Sequence, residues 1–220
     1  MFDADCLKLM FVAGSQDFYH IKGGKNDRIN ALLDTLELAL ESKITAFQFR
    51  QKGDLALQDP TQIKRLALEC QKLCKKYGTP FIVNDETQLA LELKADGVHV
   101  GQEDMAIEEV ITLCQKRLFI GLSVNTLEQA LKVRHLDAVA YLGVGPIFPT
   151  PSKKDAKQVV GVELLKKIRD SGVKKPLIAI GGITIHNAPK LREYGGIAVI
   201  SAITQARDKA LAIEKLLNNA

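Results

Sequence analysis

The chain has 220 residues, 46% hydrophobic and 25% charged, a balance that excludes a disordered polyelectrolyte and fits a packed soluble core. Its 30 Lys and Arg against 26 Asp and Glu leave a formal charge of +4 spread along the chain, so no basic tract marks a nucleic-acid binder, although sites for anionic metabolites fit. No uncharged apolar run reaches the roughly 18 residues of a membrane span, and the acidic start Met1-Phe2-Asp3-Ala4-Asp5 is unlike a secretory signal, so a cytoplasmic protein is expected.

Taken in chain order, eight short apolar runs read as strands. They lie near Lys8 to Ala13, Ala46 to Arg50, Phe81 to Val83, Val98 to Val100, Phe119 to Ser123, Tyr141 to Val144, Leu177 to Ile180 and Ile197 to Ile200. Between them run segments of helical spacing, clearest at Arg28 to Lys43 and Thr61 to Tyr77, where Ile63, Leu66, Ala67, Cys70, Leu73 and Cys74 form an apolar stripe. Asp59-Pro60 opens the second of these, Gly78 and Pro80 follow it, and Thr126 with Gln129 makes a capping box. Alternating strands and helices predict the α/β class with parallel pairing. An open doubly wound sheet has the same local pattern, but Gly14-Ser15-Gln16 after the first run is not its glycine-rich phosphate turn. Eight units over residues 1–220 without a linker therefore predict one domain, a single (β/α)8 TIM barrel, with its site in the loops after the strands.

Four cysteines, Cys6, Cys70, Cys74 and Cys114, form no CxxC pair and read as reduced and structural. His99 lies in an apolar strand and reads as packed and hydrogen bonded. His20, His135 and His186 read as surface residues.

Some residues are wrong for a core. Gln48, Arg50 and Lys52 alternate with Phe47, Phe49 and Gln51, so one face of that strand is polar and cationic while the phenylalanines face the helices. Cations pointing into a barrel mouth need an anion to compensate them; the competing reading is an edge strand with a solvated basic face. Asp85 follows one strand and Asp104 the next, and neighbouring strands lie about 5 Å apart, so the two carboxylates can share one hard cation, for which Mg2+ is suited. Either aspartate alone reads more simply as a helix cap.

The loop Gly143 to Lys154 carries three prolines, two hydroxyls and two lysines, which suits a segment that closes over a ligand and presents Lys153 to phosphate. Gly181-Gly182-Ile183-Thr184 and Ser201-Ala202 follow the last two strands, where barrels commonly bind phosphate on backbone amides; ordinary left-handed turns would also use Gly-Gly.

Gln48-Phe49-Arg50-Gln51-Lys52, Val83-Asn84-Asp85, Asp96 to Asp104, Gly145 to Ala156, Ala179 to Ile183 and Val199 to Ile203 together resemble the thiamin phosphate synthase family in order and spacing, over nearly the whole chain after about residue 40. The resemblance implies a Mg2+-dependent transferase that joins hydroxymethylpyrimidine diphosphate to thiazole phosphate and releases pyrophosphate, with no protein nucleophile. It implies that Gln48, Phe49, Arg50, Gln51, Lys52, Asn84, Ser123 and Lys153 bind the pyrimidine diphosphate, Gln51 facing away from the ligand. Asp85 and Asp104 would hold the metal, and Thr150, Pro151, Ser152, Gly182, Ile200 and Ser201 the thiazole phosphate. Arg50, Lys52, Ser123 and Lys153 are the expected catalytic residues, the cations neutralising charge on the departing diphosphate. Members of the family are often dimers, so a homodimer fits. Gln51 stands where Glu is frequent, Ser152 where Thr is usual, and Tyr194-Gly195-Gly196 replaces a Gly-Ala-Asp-Gly approach; the Phe11 to His20 segment matches loosely and receives no role. Two rivals remain at this stage: a thiazole tautomerase-like isomerase, and a non-catalytic barrel that binds a phosphorylated metabolite.

Overall fold

A computed structural model describes residues 2–150 and 158–219. Eight strands, β1 (Leu9–Ala13), β2 (Ala46–Phe49), β3 (Phe81–Asn84), β4 (Gly97–Val100), β5 (Phe119–Val124), β6 (Val139–Val144), β7 (Leu177–Ile180) and β8 (Gly196–Val199), pair in sequence order. Every neighbouring pair is parallel, and β8 closes on β1. The expected strands match within two residues at each end. Closure also removes the edge-strand reading of the cationic β2, which is hydrogen bonded to β1 and β3 on its two sides.

The helices are α1 (Lys25–Glu41), α2 (Pro60–Tyr77), α3 (Thr87–Leu93), α4 (Ile107–Cys114), α5 (Leu127–Val133), α6 (Gly161–Asp170), α7 (Ser201–Thr204) and α8 (Lys209–Asn219). α2 begins where Asp59 accepts the Thr61 N–H at 2.8 Å with Pro60 in the first turn, and stops at Gly78, whose φ of 68° only glycine adopts cheaply. The Thr126–Gln129 capping box forms at the start of α5. One departure from the eight-unit pattern is the β7–β8 crossover, which holds a single 3-10 turn, Ala188–Leu191, in place of an α-helix.

Two apolar layers follow from the strand period of two. Outward residues Phe11, Phe47, Phe49 and Phe81 pack with Leu36, Leu40, Cys70 and Cys74 of α1 and α2. Inward residues Met10, Val12, Ala46, Ile82, Tyr141, Ile178 and Ala198 fill the lower barrel, and Phe2 covers that floor, 5.1 Å from the Phe119 ring and stacked on Tyr141. The four cysteines are free, and burial pushes the Cys70 and Cys74 thiols up, which leaves them as inert apolar groups. Among the described residues no helix is long and apolar enough to cross a membrane.

Candidate active site

Above the apolar floor the inward rows turn polar and open into a cavity at the C-terminal ends of the strands. Along β2 the inward residues change from Ala46 to Gln48 and, just past the strand, Arg50, both of the latter buried. Lys52 follows and extends its ammonium to Asp85 Oδ2 at 2.8 Å and to Asp104 Oδ1 at 3.6 Å.

Neither aspartate caps the helix after it. The N-caps of α3 and α4 are Glu86 and Ala106. Asp85 instead sits at φ 63°, a left-handed conformation that Asp tolerates better than most residues, with its N–H on the His99 carbonyl so that the β3–β4 ladder runs one residue past β3. Asp104 folds back so that its Oδ2 accepts the Gly101 N–H at 2.7 Å. Burial, opposed by Lys52 and reinforced by Asp104, raises the Asp85 pKa. For Asp104 burial pushes upward too, but Asp85, the Gly101 amide and Lys52 together hold it below the usual range. The pair thus concentrates negative charge that one cation, Lys52, partly neutralises. Among the described residues no group of three or more His, Cys, Asp or Glu gathers to ligate a metal.

Deeper in the cavity a hydrogen-bonded row joins three strands. His99 places Nε2 2.8 Å from Ser123 Oγ and Nδ1 2.9 Å from the Tyr141 hydroxyl. Gln48 Nε2 lies 3.5 Å from Met10 Sδ, and burial holds the Tyr141 hydroxyl protonated. The rings fit because glycines stand opposite them: a Cβ on Gly121 would overlap the Tyr141 ring, and one on Gly143 would lie 2.9 Å from His99 Cε1. Gln102 Nε2 donates to the Ser123 carbonyl at 2.7 Å, and Asn125 Nδ2 to the Gly145 carbonyl.

The opposite rim is made of backbone. Ile147 and Phe148 donate their N–H groups to the carbonyls of Ile180 and Gly181, which laces the loop after β6 to the end of β7. Gly182 has φ 64°, and a Cβ there would lie 2.8 Å from Phe148 Cβ and overlap the Pro149 carbonyl. The left-handed turn therefore accounts for Gly182, which also packs closely against the loop after β6. Ile200 and Ser201 at the start of α7 complete this side.

A family model described as thiamine monophosphate synthase matches residues 18–203. The chain belongs to that family. Over all 220 residues, and over the relative's whole length, it is 92% identical to a thiamine-phosphate synthase of Helicobacter pylori strain 26695. A thiamine-phosphate synthase of Pasteurella multocida is 51% identical over 97% of this chain and 96% of its own. Among solved structures, thiamine phosphate pyrophosphorylase from Pyrococcus furiosus is similar at TM-score 0.80 and 34% identity, covering 98% of this chain and 96% of that one. The activity is that of a thiamine-phosphate synthase, a transferase.

With the synthase family established, the expected residues can be placed. Gln48, Arg50, Lys52, Asn84, Asp85, Asp104, Ser123, Thr150, Gly182, Ile200 and Ser201 all line the one cavity. Phe49 and Gln51 do not bring side chains to it. Phe49 packs in the outer layer, and Gln51 Oε1 accepts from Ser15 Oγ at 3.2 Å and the Leu57 N–H at 3.1 Å, because odd positions of β2 point outward. Pro151, Ser152 and Lys153 lie outside the described residues. Sequence reasoning did not assign His99, Tyr141, Gln102 or Asn125 to the synthase cavity.

Proposed function

We propose that the chain condenses 4-amino-2-methyl-5-hydroxymethylpyrimidine diphosphate with 4-methyl-5-(2-hydroxyethyl)thiazole phosphate, giving thiamin monophosphate and pyrophosphate. The observation that carries this reading is the convergence of Arg50, Lys52, Asp85 and Asp104 on one side of a cavity whose other side is glycine and hydroxyl. Neither an isomerase without a diphosphate nor a metabolite sensor has a use for that charged side.

Asp85 and Asp104 would hold Mg2+. Two mutually repelling, partly buried carboxylates fit an ion that takes one or two carboxylates and completes its shell with water and phosphate oxygens. When bound, the ion supplies charge neutralisation at the diphosphate. The protein's own part is positional and electrostatic. Arg50 and Lys52 bind the diphosphate oxygens and stabilise the negative charge that grows as the bond from the pyrimidine methylene to the bridging oxygen breaks, its electron pair leaving with pyrophosphate. Gln48, Asn84 and Ser123 orient the pyrimidine, with Ser123 itself held by His99. Thr150, Gly182, Ile200 and Ser201 seat the thiazole phosphate so that the ring nitrogen donates its lone pair to the methylene carbon. The roles of Pro151, Ser152 and Lys153 rest on the family resemblance.

We also place the protein in the cytoplasm, as a one-domain barrel, which its free cysteines suit. The deciding measurement is pyrophosphate release with both substrates, with and without Mg2+. Release that needs both substrates and falls at least about a hundredfold on chelation is expected; release indifferent to chelation would remove the metal from the reading.

A further inference from the structure

Arg50 is the first residue beyond β2, and the ladder that fixes the strand ends with it. Its N–H still donates across to the Ala13 carbonyl at 3.0 Å, but beyond Ala13 the chain of β1 turns away into a 3-10 turn, Ser15–Phe18. The Arg50 carbonyl is met by a side chain instead: Gln16 Nε2 donates to it at 2.7 Å. The same Nε2 donates to Asp17 Oδ2 at 2.8 Å, and that oxygen also accepts the Gly14 N–H at 2.8 Å. Gln16, Asp17 and Arg50 are all more than nine-tenths buried, at 9%, 7% and 5% exposure. A Cβ on Gly14 would overlap the Arg50 carbonyl, so the turn is pressed against that peptide.

A buried carboxylate and amide are a costly way to pack a turn against a strand, since apolar side chains would fill the space without desolvating polar groups. What the polar pair adds is direction, because a hydrogen bond to a carbonyl constrains the peptide plane and apolar contact does not. With its N–H tied to β1 and its carbonyl tied to the turn, the two peptide groups on either side of the Arg50 Cα are both held. The direction in which its side chain leaves the backbone is then fixed as well.

We propose that Gln16 and Asp17 are positioning residues that hold the Arg50 peptide and so aim its guanidinium into the diphosphate half of the cavity. The inference rests on the reading of Arg50 as a diphosphate ligand. Neither residue lines the cavity, so neither touches the ligand itself, and the proposed route of their effect is Arg50. Loss of the clamp therefore falls on one substrate and spares the other.

The test measures KM for the pyrimidine diphosphate and for the thiazole phosphate in Gln16→Ala, in Gln16→Met, which fills the same space without the donor, and in each combined with Arg50→Ala. Expected is a rise of about tenfold in the pyrimidine diphosphate KM for both single variants, with the thiazole phosphate KM within about twofold. In the Arg50→Ala background the Gln16 substitutions add nothing further. A tenfold effect that persists in that background, an equal rise in both KM values, or no rise at all overturns the proposal. If Arg50→Ala alone left the pyrimidine diphosphate KM unchanged, the reading of Arg50 would fall, and the inference with it, a failure told apart because no Gln16 variant enters it.

Discussion

At the ends of β2, β3 and β4 the cavity presents Arg50, Lys52, Asp85 and Asp104; at the ends of β6, β7 and β8 it presents Thr150, Gly182 and Ser201, side chains with no formal charge among them. Both sides are suited to phosphate groups, yet they are built differently. On the proposed reading the ligand's charge on the first side grows during reaction, so fixed countercharges there stabilise the transition state more than the ground state. On the second, the same reading makes the phosphate a handle whose charge does not change, held without strengthening in the transition state. Charged strand ends would then mark the place of bond breaking, and glycine the place of grip.

The comparison is broken most severely at the carboxylates. Asp104→Ala removes a proposed metal donor, the acceptor of the Gly101 amide and a neighbour of Lys52 at once. Turnover should fall on the order of a hundredfold or more, while the KM for thiazole phosphate moves less than about threefold. Steady-state kinetics with each substrate varied checks this; equal losses on both sides would mean that the two halves are not separate devices.

Gly182→Ala tests the other half. A left-handed alanine costs about 1 kcal/mol by itself, and its methyl would collide with Phe148 and Pro149, so the loop after β6 must shift. The expected result is a rise of roughly tenfold in the thiazole phosphate KM with Mg2+ dependence unchanged. Should the pyrimidine diphosphate KM rise equally, the laced β6–β7 loop would be shaping the whole cavity.

How much of this was legible in the sequence follows the same division. Gln48, Arg50 and Lys52 stood out because polar and charged groups on the inward face of a strand conflict with a core, and Asp85 and Asp104 because they follow two adjacent apolar strands. Phe49 and Gln51 turn their side chains outward as the alternation predicts, since a strand in a closed sheet cannot turn consecutive residues the same way. His99 was read as packed and hydrogen bonded, which it is, but its partners Ser123 and Tyr141 lie on two other strands and only barrel closure brings them together. Gln16 and Asp17 carried no signal at all: in a turn of Gly, Ser, Gln and Asp, burial is the surprise, and burial is a tertiary fact.

The His99 row lies between the two halves and sharpens their boundary. Tyr141→Phe keeps the ring on the barrel floor and removes one hydrogen bond from His99, leaving a buried ring nitrogen without that partner. A three- to tenfold loss in kcat/KM for the pyrimidine diphosphate is expected, about the worth of one buried hydrogen bond. No loss would mean that the Tyr141 hydroxyl does not orient His99.

The smallest effect should come from Gln51→Glu, and its smallness is informative. Among the described residues only Oε1 of Gln51 is used, accepting from Ser15 and Leu57, while Nε2 is buried without a hydrogen-bond partner there. A glutamate presents acceptor oxygens in the same place and removes the stranded donor, and its hydrogen bonds from the hydroxyl and amide are charge-assisted. Against this stands the cost of partly burying a charge, so the thermal midpoint should move by only a few degrees in either direction. Both KM values should stay within about twofold, because the side chain lies on the far face of β2 from the ligand. A tenfold change in the pyrimidine diphosphate KM would show that the packing behind Arg50 carries charge to the site as well as geometry, and the charged half of the cavity would then extend through the strand to its outer face.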